Sequence, residues 1–137
     1  MSYHVVYLYK HFLNFVSQEL KAHQVNCGQM PFILYIGKHA GCSPSDVTKA
    51  LKVDWGYSQR SIHKLVDQNL IVKKYIESNS RKYVLQLSLQ GEEIFTLCHQ
   101  LFQDWDAQFE QISQQEKEEG ICCMKKMVAS LEGTGWK

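Results

Sequence analysis

Apolar residues recur at helical spacing along most of the chain, and one short stretch breaks that rhythm. Val5, Leu8, Phe12, Val16 and Leu20 fall at steps of three and four, which predicts a helix over about residues 3–25. Val6, Tyr9, Leu13 and Phe15 add a second apolar strip, so this helix is expected to bury more than one side. Asn26-Cys27-Gly28 ends it. A short helix is predicted from Pro31 to about His39, carrying Phe32, Ile33, Leu34 and Ile36 and closed by Gly41.

Ser43-Pro44-Ser45-Asp46 is a strong start signal: Ser43 caps, Pro44 takes the first helical position, and Asp46 reaches back as the acidic partner. The helix it opens runs to about Leu51. Asp54 caps the next one, about Trp55 to Gln68, in which Ser58, Ser61, Ile62 and Leu65 share one face. Trp55, Gln59, Arg60, His63 and Lys64 point elsewhere, and Asn69 suits the left-handed residue that closes a helix.

The rhythm then changes. Leu70 to Glu77 and Lys82 to Ser88 are rich in Val, Ile, Leu and Tyr and predict two strands, with Ser78-Asn79-Ser80-Arg81 as the turn between them. Ser88 is placed to cap a long helix, and Glu92 and Glu93 suit its positive end. Ile94, Leu97, Leu101, Phe102, Trp105, Phe109 and Ile112 keep helical spacing for about five turns. A last helix, about Gln114 to Leu131, carries Ile121, Met124, Met127 and Val128, with Gly120 weakening its first half. The fold class predicted is mainly α with a small β-hairpin, and the order of elements outlines a winged helix-turn-helix.

Charge sharpens that outline. Residues 49–82 hold eight Lys or Arg against three acids, a local net of +5. Residues 1–48 hold three bases against two acids, and residues 83–137 four bases against nine acids, so an overall net charge of +1 conceals a polarised molecule. A basic stretch on a helix-turn-helix followed by a basic hairpin is an electrostatic footprint for nucleic acid. At 137 residues one domain is expected. No apolar run approaches the roughly 20 residues of a membrane helix, and the N-terminus lacks the pattern of a secretion signal. Five cysteines do not suit a disulfide framework and point to a reducing cytoplasm.

The helix from Trp55 to Lys64 has what a major-groove reader needs: an apolar back and a polar front of Gln59, Arg60, His63 and Lys64. Gly56 and Tyr57 lie in its first turn, which usually approaches the bases. Trp55 has two readings, packing on the preceding helix or contact in the groove. Arg81 at the hairpin tip is placed to enter the adjacent minor groove, whereas Lys49, Lys52, Lys73, Lys74 and Lys82 suit phosphates.

Two stretches carry a resemblance to a known family. Val53-Asp54 through Arg60, then Leu65 and Leu70-Ile71, resembles the recognition helix of the MarR family of bacterial winged-helix regulators. Asn79-Ser80-Arg81-Lys82-Tyr83-Val84-Leu85-Gln86-Leu87-Ser88-Leu89-Gln90-Gly91 resembles that family's wing signature. The resemblance implies a homodimer on a pseudo-palindromic double-stranded operator, usually a repressor released by a small molecule or an oxidant. It also implies a division of labour, with about residues 30–91 binding DNA and about residues 1–27 and 92–137 serving dimerisation. Three positions depart from the pattern. Asn79 replaces an aspartate, so the ion pair that would brace Arg81 becomes at best a neutral hydrogen bond. Asn69 replaces a glycine, and Ser88 replaces a threonine and caps equally well.

The effector is not legible. Only Cys98 among the five cysteines has an adjacent basic residue, His99, so buried bystander thiols are expected rather than sensors. Cys122 and Cys123 are neighbours that point about 100° apart on a helix, and His39 with Cys42 lacks further ligands, so no metal and no cofactor are expected. Tyr3, Tyr7, His11, Phe12 and Phe15 are candidates to line a small-molecule pocket, or simply core. No catalytic motif is present. The residues expected to bind DNA are Trp55, Gly56, Tyr57, Gln59, Arg60, His63, Lys64, Arg81 and Lys82, in a cytoplasmic regulator. The alternative is a winged-helix protein–protein interaction module without specific DNA binding.

Overall fold

The computed structural model describes residues 1–76 and 79–133. Its elements are α1 (Ser2–Ala22), α2 (Met30–Lys38), α3 (Pro44–Leu51), α4 (Trp55–Asp67), β1 (Ile71–Ile76), β2 (Asn79–Leu87), α5 (Leu89–Ala107) and α6 (Gln114–Gly133). The chain divides into two compact units, one covering Met1–Gln103 and the other beginning at Asp104.

The first unit holds the core. Val16 and Leu20 of α1, Phe32, Ile33 and Ile36 of α2, Val47 of α3 and Ile62 and Leu65 of α4 are buried together. Ile71, Leu85 and Leu87 of the hairpin and Ile94, Cys98 and Leu101 of α5 complete it. Local chemistry sets the corners. The Ser43 hydroxyl accepts from the Asp46 amide at 3.1 Å while the Asp46 carboxylate accepts from the Ser43 amide at 3.0 Å, the reciprocal cap expected at the start of α3. Asp54 caps α4 by accepting from the Tyr57 amide at 2.9 Å. Asn69 takes the left-handed conformation after α4 (φ 61°), as its amide side chain allows. Ser88 joins this corner to α5: its hydroxyl donates to the Asn69 carbonyl at 2.6 Å and accepts from the Gly91 amide at 3.0 Å.

The first helix was expected to bury more than one side; within the single chain only Val16 and Leu20 are buried, and residues 3–9 are exposed throughout. The core meets only the C-terminal half of α1. The long fifth helix was expected to run through Ile112, yet α5 ends at Ala107. Ser113 forms a reciprocal cap with Glu116 (3.1 and 2.9 Å) that starts α6, and a turn over residues 108–112 separates the two helices. The sequence Ser113-Gln114-Gln115-Glu116 carries that signal. No described residue of α6 is buried.

The hairpin is antiparallel, pairing Ile71 with Leu87, Lys73 with Leu85 and Tyr75 with Tyr83, with a register shift between Tyr75 and Ile76. Leu85 also exchanges hydrogen bonds with the α2–α3 connection, donating to Cys42 O and accepting from Gly41 N, both at 2.8 Å. That bridge anchors the base of the wing to the helical body. Part of the expected turn, Glu77 and Ser78, and the side chains of Asn79 and Ser80 lie outside the described residues, and with them the bracing of Arg81 by Asn79.

Candidate nucleic-acid interface

The helix-turn-helix is held by a hydroxyl pair inside an apolar seam. Thr48 on α3 bonds Ser58 on α4 at 2.7 Å, and Ser58 is completely buried. Both polar atoms are satisfied, so the seam carries little desolvation penalty and fixes the spacing of the two helices. Lys52 makes the turn by adopting a left-handed conformation (φ 56°) after the last residue of α3. A second polar tie lies behind α4: the buried Gln29 amide donates to Gln68 Oε1 at 2.6 Å, and Gln68 donates to the Gln24 carbonyl at 2.9 Å. Helical spacing places Ser58 on the inward face with Ile62 and Leu65, but it gives no sign of the Gln29–Gln68 tie, because an isolated Gln looks like surface.

With Ser58, Ile62 and Leu65 turned inward, α4 presents Trp55, Tyr57, Arg60, His63 and Lys64 to solvent. Trp55 is 56% exposed, so its ring is not sequestered against the preceding helix. Tyr57 is 39% exposed and leans back, its ring 6.1 Å from that of Phe32. Gly56 leaves room for Arg60, since a β-carbon there would stand 3.2 Å from Arg60 Nη1 and 3.3 Å from Asp54 Oδ1. Arg60 Nη1 therefore lies back over Gly56 in the first turn. Gln59 departs from the expected polar front. It is half-buried, accepts a long 3.5 Å hydrogen bond from the Tyr83 hydroxyl, and its Nε2 is buried without a partner.

On the wing, Lys74, Arg81 and Lys82 are exposed, and so are Lys49 and Lys52 of the α3 region. Lys73 differs from the other lysines: it is half-buried, with Nζ 4.6 Å from the centre of the Tyr83 ring. Tyr83 also meets Tyr75 edge-on at 5.6 Å. The hairpin thus gathers Lys73, Tyr75 and Tyr83 on the side that faces Gln59, an assembly that depends on strand register and was not apparent from the sequence.

The other candidate groups do not assemble into a site. Tyr3, Tyr7 and His11 are exposed, whereas Phe12 and Phe15 pack partly on the core, with Phe12 stacked on Phe102 at 5.8 Å. Burial raises the pKa of the Cys27, Cys42 and Cys98 thiols, that of Cys98 to about 11, which disfavours their thiolates. His39 stacks on Tyr35 at 4.2 Å with Nδ1 3.0 Å from the Tyr35 carbonyl oxygen. Among the described residues, no group of three or more His, Cys, Asp or Glu could hold a metal ion, and no helix is long and apolar enough to cross a membrane.

No protein-family model matches the chain. It is 30% identical over 132 residues to the HTH-type transcriptional regulator BilQ of Clostridium symbiosum, spanning 96% of this chain and 92% of that protein. Its fold is that of FabT from Streptococcus pneumoniae, solved in complex with DNA (TM-score 0.85, 20% identity, 97% of this chain and 96% of that one). It is also that of a MarR-family regulator from Listeria monocytogenes complexed with 26mer DNA (TM-score 0.82, 18% identity, 96% and 88%). Kinship along nearly the whole chain, an observed helix-turn-helix with its wing, and this shared fold agree: the chain belongs to the MarR family of winged helix-turn-helix transcriptional regulators.

Proposed function

We propose that the chain binds a pseudo-palindromic duplex operator as a homodimer and acts as a cytoplasmic, ligand-responsive repressor. The observation that carries the reading is the exposed Arg60, His63 and Lys64 on the second helix of the motif, with Arg81 and Lys82 exposed on the wing. An α-helix presenting such side chains fits the major groove, and an arginine from a flanking wing suits the negative potential of the minor groove. Trp55, Gly56 and Tyr57 occupy the first turn, the part that comes closest to the bases in helix-turn-helix docking. Lys49, Lys52, Lys74 and Lys82 would supply phosphate contacts, which give affinity but no sequence information. About residues 30–91 would do this work. Residues 1–27 and 92–137 would serve dimerisation, supported by the exposed apolar side chains of α1 and of α6.

Selection of bound sequences from random duplex DNA tests the reading. The wild-type chain is expected to enrich a palindrome with half-sites about one helical turn apart. Arg60→Ala and Arg81→Ala are each expected to lose about 1–3 kcal/mol and to relax preference at one position per half-site, whereas Lys64→Ala should lower the salt slope by about one. Absence of any enriched sequence with wild type, and equally weak binding by all variants, would favour a protein-interaction module instead.

A further inference from the structure

Gln59 and Tyr83 meet where α4 and the wing come together, and neither is explained by direct readout of bases. The wing hairpin is secured at its base by the Leu85–Cys42 bridge beside α3 and by the packing of Ile71 and Leu85 with Ile62 and Leu65 of α4. Farther out along β2, the Tyr83 hydroxyl donates to Gln59 Oε1 at 3.5 Å, a polar contact between α4 and the wing. The Tyr83 ring is itself held from two sides, by the Lys73 ammonium at 4.6 Å and by the edge of Tyr75 at 5.6 Å. Its hydroxyl is therefore presented from a braced ring. Gln59 Nε2 has no hydrogen-bond partner among the described residues, so the bond from Tyr83 to Oε1 is the side-chain contact that ties this amide to the wing.

We propose that Tyr83 is a positioning residue for DNA recognition. Acting through Gln59, it sets the angle between the recognition helix and the wing, so that the two reading elements approach adjacent grooves as one rigid body. Gln59 then contributes to specificity without touching a base, and Lys73 contributes by bracing the ring of Tyr83. This rests on the DNA-binding reading above.

The test is a double-mutant cycle in operator affinity, using full-length protein and the duplex enriched by the selection. Tyr83→Phe keeps the ring and both of its neighbours and removes only the hydroxyl. Gln59→Leu removes the acceptor and the unpaired amide together. Each single variant is expected to bind about threefold more weakly, as befits one long neutral hydrogen bond, with the salt slope unchanged because no charge is lost. Tyr83→Phe should have no further effect in the Gln59→Leu background. Both single variants should also tolerate a one-base-pair change in the spacing between helix-read and wing-read positions better than wild type does. Losing a purely structural contact would lower Tm without changing that spacing preference. Additive effects, or an unchanged spacing preference, would overturn the proposal while leaving DNA binding intact. If wild type binds no duplex selectively, the functional reading fails and this one falls with it.

Discussion

A methyl group added at Gly91 would overlap the carbonyl oxygen of Leu70, because the first turn of α5 is pressed against the peptide that follows α4. The same carbonyl accepts from the Ser88 amide at 3.0 Å, so it cannot swing away without breaking a hydrogen bond. Gly91→Ala is therefore expected to destabilise the first unit by about 2 kcal/mol, roughly 8 °C in Tm by calorimetry. An unchanged Tm would show that the junction yields more easily than its geometry implies. The wing signature in the sequence contains this glycine, but its reason, a backbone-to-backbone approach, needs three dimensions to be seen. Gln59 makes the opposite case. Helical spacing placed it beside Arg60 on the polar front, and the residue that turns it inward, Tyr83, lies 24 positions away across a strand register the sequence does not specify.

Helix boundaries were legible where a side chain announces them. Ser43, Asp54, Asn69 and Ser88 act as their chemistry predicts, and α3 and α4 begin at the expected residues. The end of α5 was misread because Phe109 and Ile112 continue its periodicity, although the chain turns over residues 108–112 before the cap at Ser113. Capping also gives α3 a pH dependence. Hydrogen bonds from the Ser43 backbone and side chain hold the Asp46 carboxyl below its ordinary value of 3.8. The charged form is the one the fold favours, so its contribution is complete above 3.8 and is lost as pH falls through the lowered value. Thermal unfolding of wild type and Asp46→Ala followed from neutral to acid pH should show a gap in Tm that closes below that range. A gap that persists unchanged in acid would mean the carboxylate is not what supports the cap.

Among whole-molecule properties, the sequence revealed the class of fold through its order of elements, and the first unit's core follows the apolar face of each helix. What the pattern left open is which apolar faces the chain covers by itself. Tyr3, Val5, Val6, Tyr7 and Leu8 of α1 remain exposed, as do Ile121, Met124, Met127, Val128 and Leu131 of α6. Surfaces of this kind are characteristic of association, and a second copy is the proposed cover. Val6→Glu with Leu8→Glu is expected to leave a monomer in sedimentation equilibrium and to abolish high-affinity operator binding, since a single half-site remains. A wild-type chain that stays monomeric at high concentration would refute the dimer. Within the first unit the wing has a geometric pivot, the bridge at Leu85 that ties β2 to the helical body. Tyr83 lies two residues, about 7 Å, beyond that pivot and Arg81 about 13 Å beyond it. A tilt of roughly 10° there would carry Tyr83 about 1 Å and Arg81 about 2 Å, so a restraint on the short arm at Tyr83 would hold in check a larger excursion of the charge farther out.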